Sequence, residues 1–251
     1  YFENILTVHN FDKELKKLLF EYLTEIERIF KAMLIYEYCK EYQEEYAFLN
    51  IGNYDKKNLS SAFGVISTYT SIINFYSNDK KKNTIKHYIS NHNDVPLWVL
   101  SSFLTLGQSI YFYNTLTPSL KYTIVKNHIN KNLSTVDKIV RLDVKVFSAI
   151  LENIRQIRNI VAHNNRLINF KCKKNIKYID EIYNQDKRES RQTVYSTILT
   201  FKCFLDVEKY NNLENSLITL VKDFNSCMGN KTHATKVLHS LGFPDELVNN
   251  H

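Results

Sequence analysis

Residues 152–169 read Glu152-Asn153-Ile154-Arg155-Gln156-Ile157-Arg158-Asn159-Ile160-Val161-Ala162-His163-Asn164-Asn165-Arg166-Leu167-Ile168-Asn169. Placed on a helix at about 100° per residue, Glu152, Arg155, Arg158, Asn159, Ala162, His163, Arg166 and Asn169 share an arc of about 140°. Three of the chain's 7 arginines lie in positions 155–166, and no lysine occurs between Lys145 and Lys171. Planar guanidinium groups suit two-pronged recognition of phosphate better than an ammonium point charge does. Small Ala162 in the middle of this face lets a nucleotide or another backbone approach. His163 supplies a group that gives and takes protons at neutral pH. Arg158 precedes it by about 7.5 Å along the axis, so it can hold a phosphate while His163 addresses a ribose 2′-hydroxyl or the leaving oxygen. Asn159, one turn below His163, can orient the imidazole or bind phosphate. Such chemistry needs no metal. One histidine cannot act as base and acid in the same step, so a symmetric dimer with two facing copies would complete the site.

The element that positions these groups is amphipathic. Ile150, Ile154, Ile157, Ile160, Val161, Leu167 and Ile168 occupy the opposite arc and can pack on a core. Around it, the composition points to helices: of 251 residues, 44% are hydrophobic and 24% charged, with only 5 Gly and 3 Pro to make tight turns or phosphate-cradling loops. No nucleotide-binding glycine motif is present. The net charge of +7 favours a polyanionic partner. No apolar run is long enough to span a membrane and the first residues are not a secretory signal, so a cytoplasmic protein is expected. Cys39, Cys172, Cys203 and Cys227 form no C-x-x-C pair, and the pairs His87/His92 and His233/His239 lack carboxylate or cysteine partners at metal-ligand spacing. No metal or other cofactor is expected. The chain starts at Tyr1 rather than Met, so a fragment or processed product is expected.

Apolar residues from Phe11 to about Tyr38 trace one face of a long first helix. Leu59–Tyr76 reads as a second helix, and residues 77–83, with Lys80, Lys81 and Lys82, as a solvated connection. Pro96 opens a buried helix that Gly107 ends or bends, and Thr117-Pro118 starts another. Ser134-Thr135-Val136-Asp137 resembles a capping box opening a long helix through residue 160 and beyond. Residues 171–191 read as a polar, lysine-rich, mobile loop with a short helix. Helices over Val194–Val207, Leu213–Phe224 and Thr232–Leu241 follow, with Gly242-Phe243-Pro244 as a stop. No repeat or change of composition appears, and a single α-helical domain over 1–251 is expected.

The spacing Arg158-x4-His163, with polar Asn159 after the arginine, resembles the HEPN ribonucleases. The longer run Arg158-Asn159-x-x-Ala162-His163-x-x-Arg166-Leu167-x-Asn169 resembles the Abi-like (AbiD/AbiF) abortive-infection proteins of that superfamily. Phe11-Asp12-Lys13-Glu14-Leu15, Ile26-Glu27, Val95-Pro96-Leu97-Trp98-Val99, Leu106-Gly107 and Leu241-Gly242-Phe243-Pro244 follow that family's order of landmarks. The resemblance implies an all-α, HEPN-like helical bundle with additional helices. It also implies a metal-independent endoribonuclease of bacterial antiphage defence, with active sites made across a homodimer. A structured noncoding RNA is a further expected partner. By position, Arg158, Asn159 and His163 carry over as catalytic and Arg166 and Asn169 as supporting; Arg155 joins the RNA-binding set from helix geometry alone. Val161 and Asn164 depart from the family pattern, which often has Cys and a second His there. Two rivals stand beside this reading. One is a non-catalytic protein that grips a structured noncoding RNA with the same face, and the other is a pure dimerisation helix.

Overall fold

The computed structural model describes residues 2–134, 138–183 and 187–249. The architecture is all-α, and the described residues contain no β-strand, only an isolated bridge between Tyr54 and Leu116. None of the described helices is long and apolar enough to cross a membrane. The chain divides into two compact units, one of residues Tyr1–Ile26 with Ile129–His251 and one of residues Glu27–His128.

The first helix, α1, covers Phe2–Glu41 and contributes to both units. It begins earlier than the apolar periodicity predicts because residues 2–10 hold no glycine or proline to stop it, while Phe2, Ile5 and Leu6 are exposed and leave no periodic signature.

The unit of residues 27–128 is built on aromatic packing. It contains α2 (Leu59–Ser77), α3 (Thr84–His92), α4 (Leu97–Ser101), α5 (Leu106–Thr115) and α6 (Pro118–Ile124). Phe112 is the hub: Tyr38, Tyr69 and Tyr54 stand 5.0, 5.5 and 6.1 Å from its ring centre, and Phe48 meets Tyr69 at 5.9 Å. The sequence pattern does not announce α3; Asn83 caps it by accepting from the Lys86 amide at 2.9 Å. Gly107 does not end a helix. The break falls at 102–105, and Thr105 with Gln108 forms the capping box that starts α5, placing Gly107 inside its first turn. Pro118 occupies the first turn of α6, as its fixed φ favours.

The other unit holds residues 2–26 of α1 together with α7 (Lys131–Leu133), α8 (Val144–Ala162), α9 (Val194–Leu199), α10 (Val207–Cys227), α11 (Lys231–Leu241) and α12 (Asp245–Asn249). A π-helical turn over Val125–Asn130 precedes α7. Leu15, Leu19 and Leu23 of α1, Phe147, Ile150, Ile154 and Ile157 of α8, and Leu213, Leu217 and Val221 of α10 are buried; Phe11 stacks on Phe224 at 4.3 Å. The predicted capping box at residues 134–137 has 135–137 outside the described residues, and the long helix starts only at Val144. There Asp143 accepts from the Lys145 amide at 2.7 Å. The expected helix over 194–207 is shorter, passing into a 3₁₀ turn at Thr200–Cys203 before Asp206 caps α10. Gly242 ends α11 at φ +89°, where an added Cβ would collide with Thr193.

Candidate functional site

α8 carries the candidate residues, and its sequence explains both its burial and its end. Phe147, Ile150, Leu151, Ile154, Ile157 and Val161 face the core, whereas Asn159, Ala162 and His163 are exposed and Arg155 and Arg158 are half-buried. The imidazole of His163 has no hydrogen-bond partner among the described residues.

The helix stops at Ala162, so it does not run through Asn169 as a continuous helical wheel would have it. Asn164 adopts the left-handed region at φ 53°. Its amide donates to the Val161 carbonyl at 3.2 Å, and the Asn165 amide donates to Ile160 at 2.9 Å. This pair of bonds is the Schellman closure, in which asparagine substitutes for the usual glycine, and it makes His163 the last half-helical residue. Asn164, one of the two departures from the family pattern, therefore has a structural role, ending the helix immediately after the histidine.

Beyond the turn the chain runs back antiparallel to α8. Asn165 bonds to Ile160, Lys173 to Gln156, and Lys174 to Asn153, so rising numbers in one segment meet falling numbers in the other. Arg166 and Asn169 are exposed on this return segment rather than on the helix, and Asn169 is also left-handed, at φ 66°. The wheel groups Arg155, Arg158, Asn159 and His163 correctly on α8 but misplaces Arg166 and Asn169, because their helical phase ends at Asn164.

Arg155 grips Glu152 with two hydrogen bonds, of 2.9 and 2.7 Å, and the Gln156 amide donates to the same carboxylate at 3.0 Å. The hydrogen bond from Arg155 is the main reason the Glu152 carboxyl titrates below its ordinary value, and the same bond raises the guanidinium. Glu152 is thus engaged within its own turn of helix and does not serve His163.

Three positioning residues lie outside the set that the sequence pattern picks out. Asp12 on α1 is buried; its Oδ1 accepts from the amides of Leu167 and Ile168 at 2.9 and 3.3 Å, and its Oδ2 pairs with Lys16 at 2.9 Å. It fixes the turn that follows His163. Asn153 is fully buried, donating to the Lys174 carbonyl at 2.8 Å and accepting from the Lys174 amide at 3.1 Å. Gln156 accepts from the Lys173 amide at 3.1 Å. Asn153 does leave a signal in the sequence: it is an amide in the middle of the apolar arc, where an unpaired polar group would be costly. Asp12 enters the sequence reading only as part of the landmark at 11–15, and its partners, 155 and 156 residues away, leave no local signal.

Elsewhere in this unit the chemistry is of opposite sign. A groove of about 480 Å³ between α1 and α10 is lined by Glu14, Glu21 and Asp223, with Lys17 as its cation. Such a lining disfavours a polyanion. Cys172, on the return segment, is buried, and burial pushes its thiol up to about 11, which leaves it protonated and unreactive at neutral pH.

A family model described as Abi-like protein matches residues 1–169 of the 251. The matched span includes α8, the Schellman turn and the sequence through Asn169, but not the landmark at 241–244. No curated protein and no solved structure matches the chain.

Proposed function

This chain belongs to the Abi-like protein family, and from that premise we propose that it is an RNA-cleaving effector of abortive infection, a HEPN-type endoribonuclease that works without metal. The observation that carries the reading is the end of α8. Arg158, Asn159, Ala162 and His163 are gathered within its last two turns, His163 and Asn159 are exposed, and a Schellman turn buttressed by Asp12 sets where the histidine stands.

In the proposed reaction the ribose 2′-oxygen attacks the adjacent phosphorus in line, and the 5′-oxygen of the next nucleotide leaves. His163 takes the 2′-hydroxyl proton or protonates the leaving oxygen. Arg158 stabilises the charge that grows on the non-bridging oxygens, where a preorganised donor is worth most. Asn159 holds the phosphate or the imidazole. Because one imidazole cannot perform both proton transfers in one step, a second copy of the chain supplies the other histidine. Arg155, Arg166 and Asn169 hold flanking nucleotides. The products carry 2′,3′-cyclic phosphate and 5′-hydroxyl ends.

The test is cleavage of labelled structured and unstructured RNAs in EDTA by the purified protein and by His163→Ala and Arg158→Ala variants with unchanged thermal unfolding. The expected result is cleavage by the parent and a loss of about 10²–10⁴-fold for His163→Ala. Equal rates in all three proteins would contradict the assignment. Tight RNA binding without cleavage would turn the reading toward a protein that holds a structured noncoding RNA.

A further inference from the structure

The lysines absent from the second half of α8 reappear on the segment that returns along it. Lys171, Lys173, Lys174 and Lys177 are all exposed, while Cys172 and Ile176 between them are buried, so the chain is anchored at intervals and its cations face solvent. The backbone here is held on both sides. On the α8 side, Asn153 brackets Lys174 with two bonds and Gln156 takes the Lys173 amide. On the other, the Cys172 amide donates to the Gln192 carbonyl at 2.7 Å and the Gln192 side chain donates to the Cys172 carbonyl at 2.9 Å. The Arg191 amide donates to the Asn175 side chain at 3.0 Å, and the Arg191 guanidinium donates to the Ile176 carbonyl.

The neighbouring charges leave these four ammonium groups in excess. Glu152 is held chiefly by Arg155, with Lys173 adding a weaker electrostatic contribution, Glu181 pairs with Lys138 at 2.8 Å, and Asp180 with Lys187 at 3.4 Å. Among the described residues none of the four lysines forms an ion pair. A row of cations on a backbone already held by hydrogen bonds loses little backbone entropy on meeting a chain of phosphates, and release of counterions drives the association.

We propose that Lys171, Lys173, Lys174 and Lys177 form a phosphodiester track, a second RNA-contacting element that leads the strand along α8 to the Arg158/His163 end. The inference rests on the RNA-cleaving reading given above and adds to it a substrate-guiding surface that lies wholly beyond the family-matched residues. The track reads backbone charge and not base identity, so it contributes affinity and register without sequence preference.

The experiment uses full-length protein carrying His163→Ala, which leaves RNA intact, and a fluorescent single-stranded RNA titrated over a range of salt concentrations. Two triple variants are compared in that background: Lys171→Gln/Lys173→Gln/Lys174→Gln, and Lys80→Gln/Lys81→Gln/Lys82→Gln, which removes the same charge from the exposed connection between α2 and α3. The first is expected to weaken binding at least about tenfold at low salt and to flatten the log–log salt slope by about 2, and the second to leave the slope unchanged. Replacing the same three track lysines by arginine should restore the slope, which separates charge from folding. If both glutamine triples behave alike while the parent still binds and the His163-containing enzyme still cleaves, the track is overturned and the nuclease reading stands. If neither the His163→Ala protein nor the unsubstituted protein binds RNA at any salt, the track falls together with the reading beneath it. Equal affinity for polyglutamate would overturn the choice of a phosphodiester ligand.

Discussion

In residues 27–128 many of the buried oxygens belong to tyrosines, and the bonded hydroxyls find partners close in sequence, whereas buried Glu37 accepts from Asn127 at 3.1 Å and meets His128 at 2.7 Å, 90 and 91 residues on. The Tyr38 hydroxyl donates to the Ala47 carbonyl, nine residues on, and the Tyr54 hydroxyl to Phe48, six residues back. Burial pushes the phenols of Tyr38, Tyr54 and Tyr69 upward, so they stay protonated and inert at neutral pH. In the unit that carries α8, buried Asp12 holds amides 155 and 156 residues away, and buried Asn153 and half-buried Gln156 hold the chain that returns after His163. One unit surrounds its tyrosine hydroxyls with an aromatic hub and uses Glu37 to join α1 to the π-helical turn at Val125–Asn130, while the other uses its buried polar groups to fix the path of a polar, cationic segment. The difference lies in what is held: Glu37 joins two helical stretches, whereas Asp12, Asn153 and Gln156 give the non-helical segment after His163 a fixed geometry.

The sharpest way to break this contrast is Asp12→Ala. It leaves Lys16 buried without its counter-charge and two amides without an acceptor, and it should cost about 3–5 kcal/mol in urea denaturation. A loss near zero would remove Asp12 from its role. Asn153→Ala should cost about 1–3 kcal/mol, since the Lys174 amide and carbonyl lose both partners. Hydrogen exchange at the Lys174 amide should accelerate by more than at amides elsewhere in the same unit. In the aromatic unit, Tyr69→Phe should move stability by no more than about 1 kcal/mol and in the favourable direction, because the hydroxyl is buried without a hydrogen-bond partner among the described residues. A large loss there would mean that the Tyr69 hydroxyl makes a stabilising contact.

The smallest effect concerns Glu152 and Arg155. The folded carboxyl lies below its ordinary 4.5, so its contribution is present above that pH and fades as the pH falls through the folded value. The pair is partly exposed, and Glu152→Gln should cost less than about 1 kcal/mol at neutral pH, with the difference from the parent vanishing in acid. Equilibrium unfolding at pH 7 and below pH 4 measures both.

Much of the site is legible in the sequence because α8 is strongly amphipathic. Alternation of Ile and Leu with Arg and Asn fixes which residues share a face, and this holds for Arg155, Arg158, Asn159 and His163. Arg166 and Asn169 are misplaced by the same pattern because periodicity continues on paper through Asn164, whose left-handed backbone ends it in the molecule. Asparagines at 164, 165 and 169 are the available sign, since this side chain tolerates that conformation. Apolar content and proline correctly mark the second helix and the Pro118 start, whereas α3 leaves no such mark and the α4–α5 break falls ahead of Gly107 rather than at it. In both places the deciding features are single capping residues, Asn83 and Thr105, which carry no periodic signal. Asn153 stands out as an amide in the apolar arc, but which chain segments Asp12 and Asn153 clamp depends on tertiary proximity, which no local pattern encodes.

The central claim is that the end of α8 promotes cleavage of RNA by the RNA's own 2′-hydroxyl. The most direct measurement is end-group analysis of the products formed in EDTA by the parent protein and by His163→Ala. The account predicts 2′,3′-cyclic phosphate and 5′-hydroxyl ends from the parent, no products when the RNA is fully 2′-O-methylated, and a loss of about 10²–10⁴-fold in the variant. Products with 3′-hydroxyl and 5′-phosphate ends, or undiminished cleavage by His163→Ala, would contradict it.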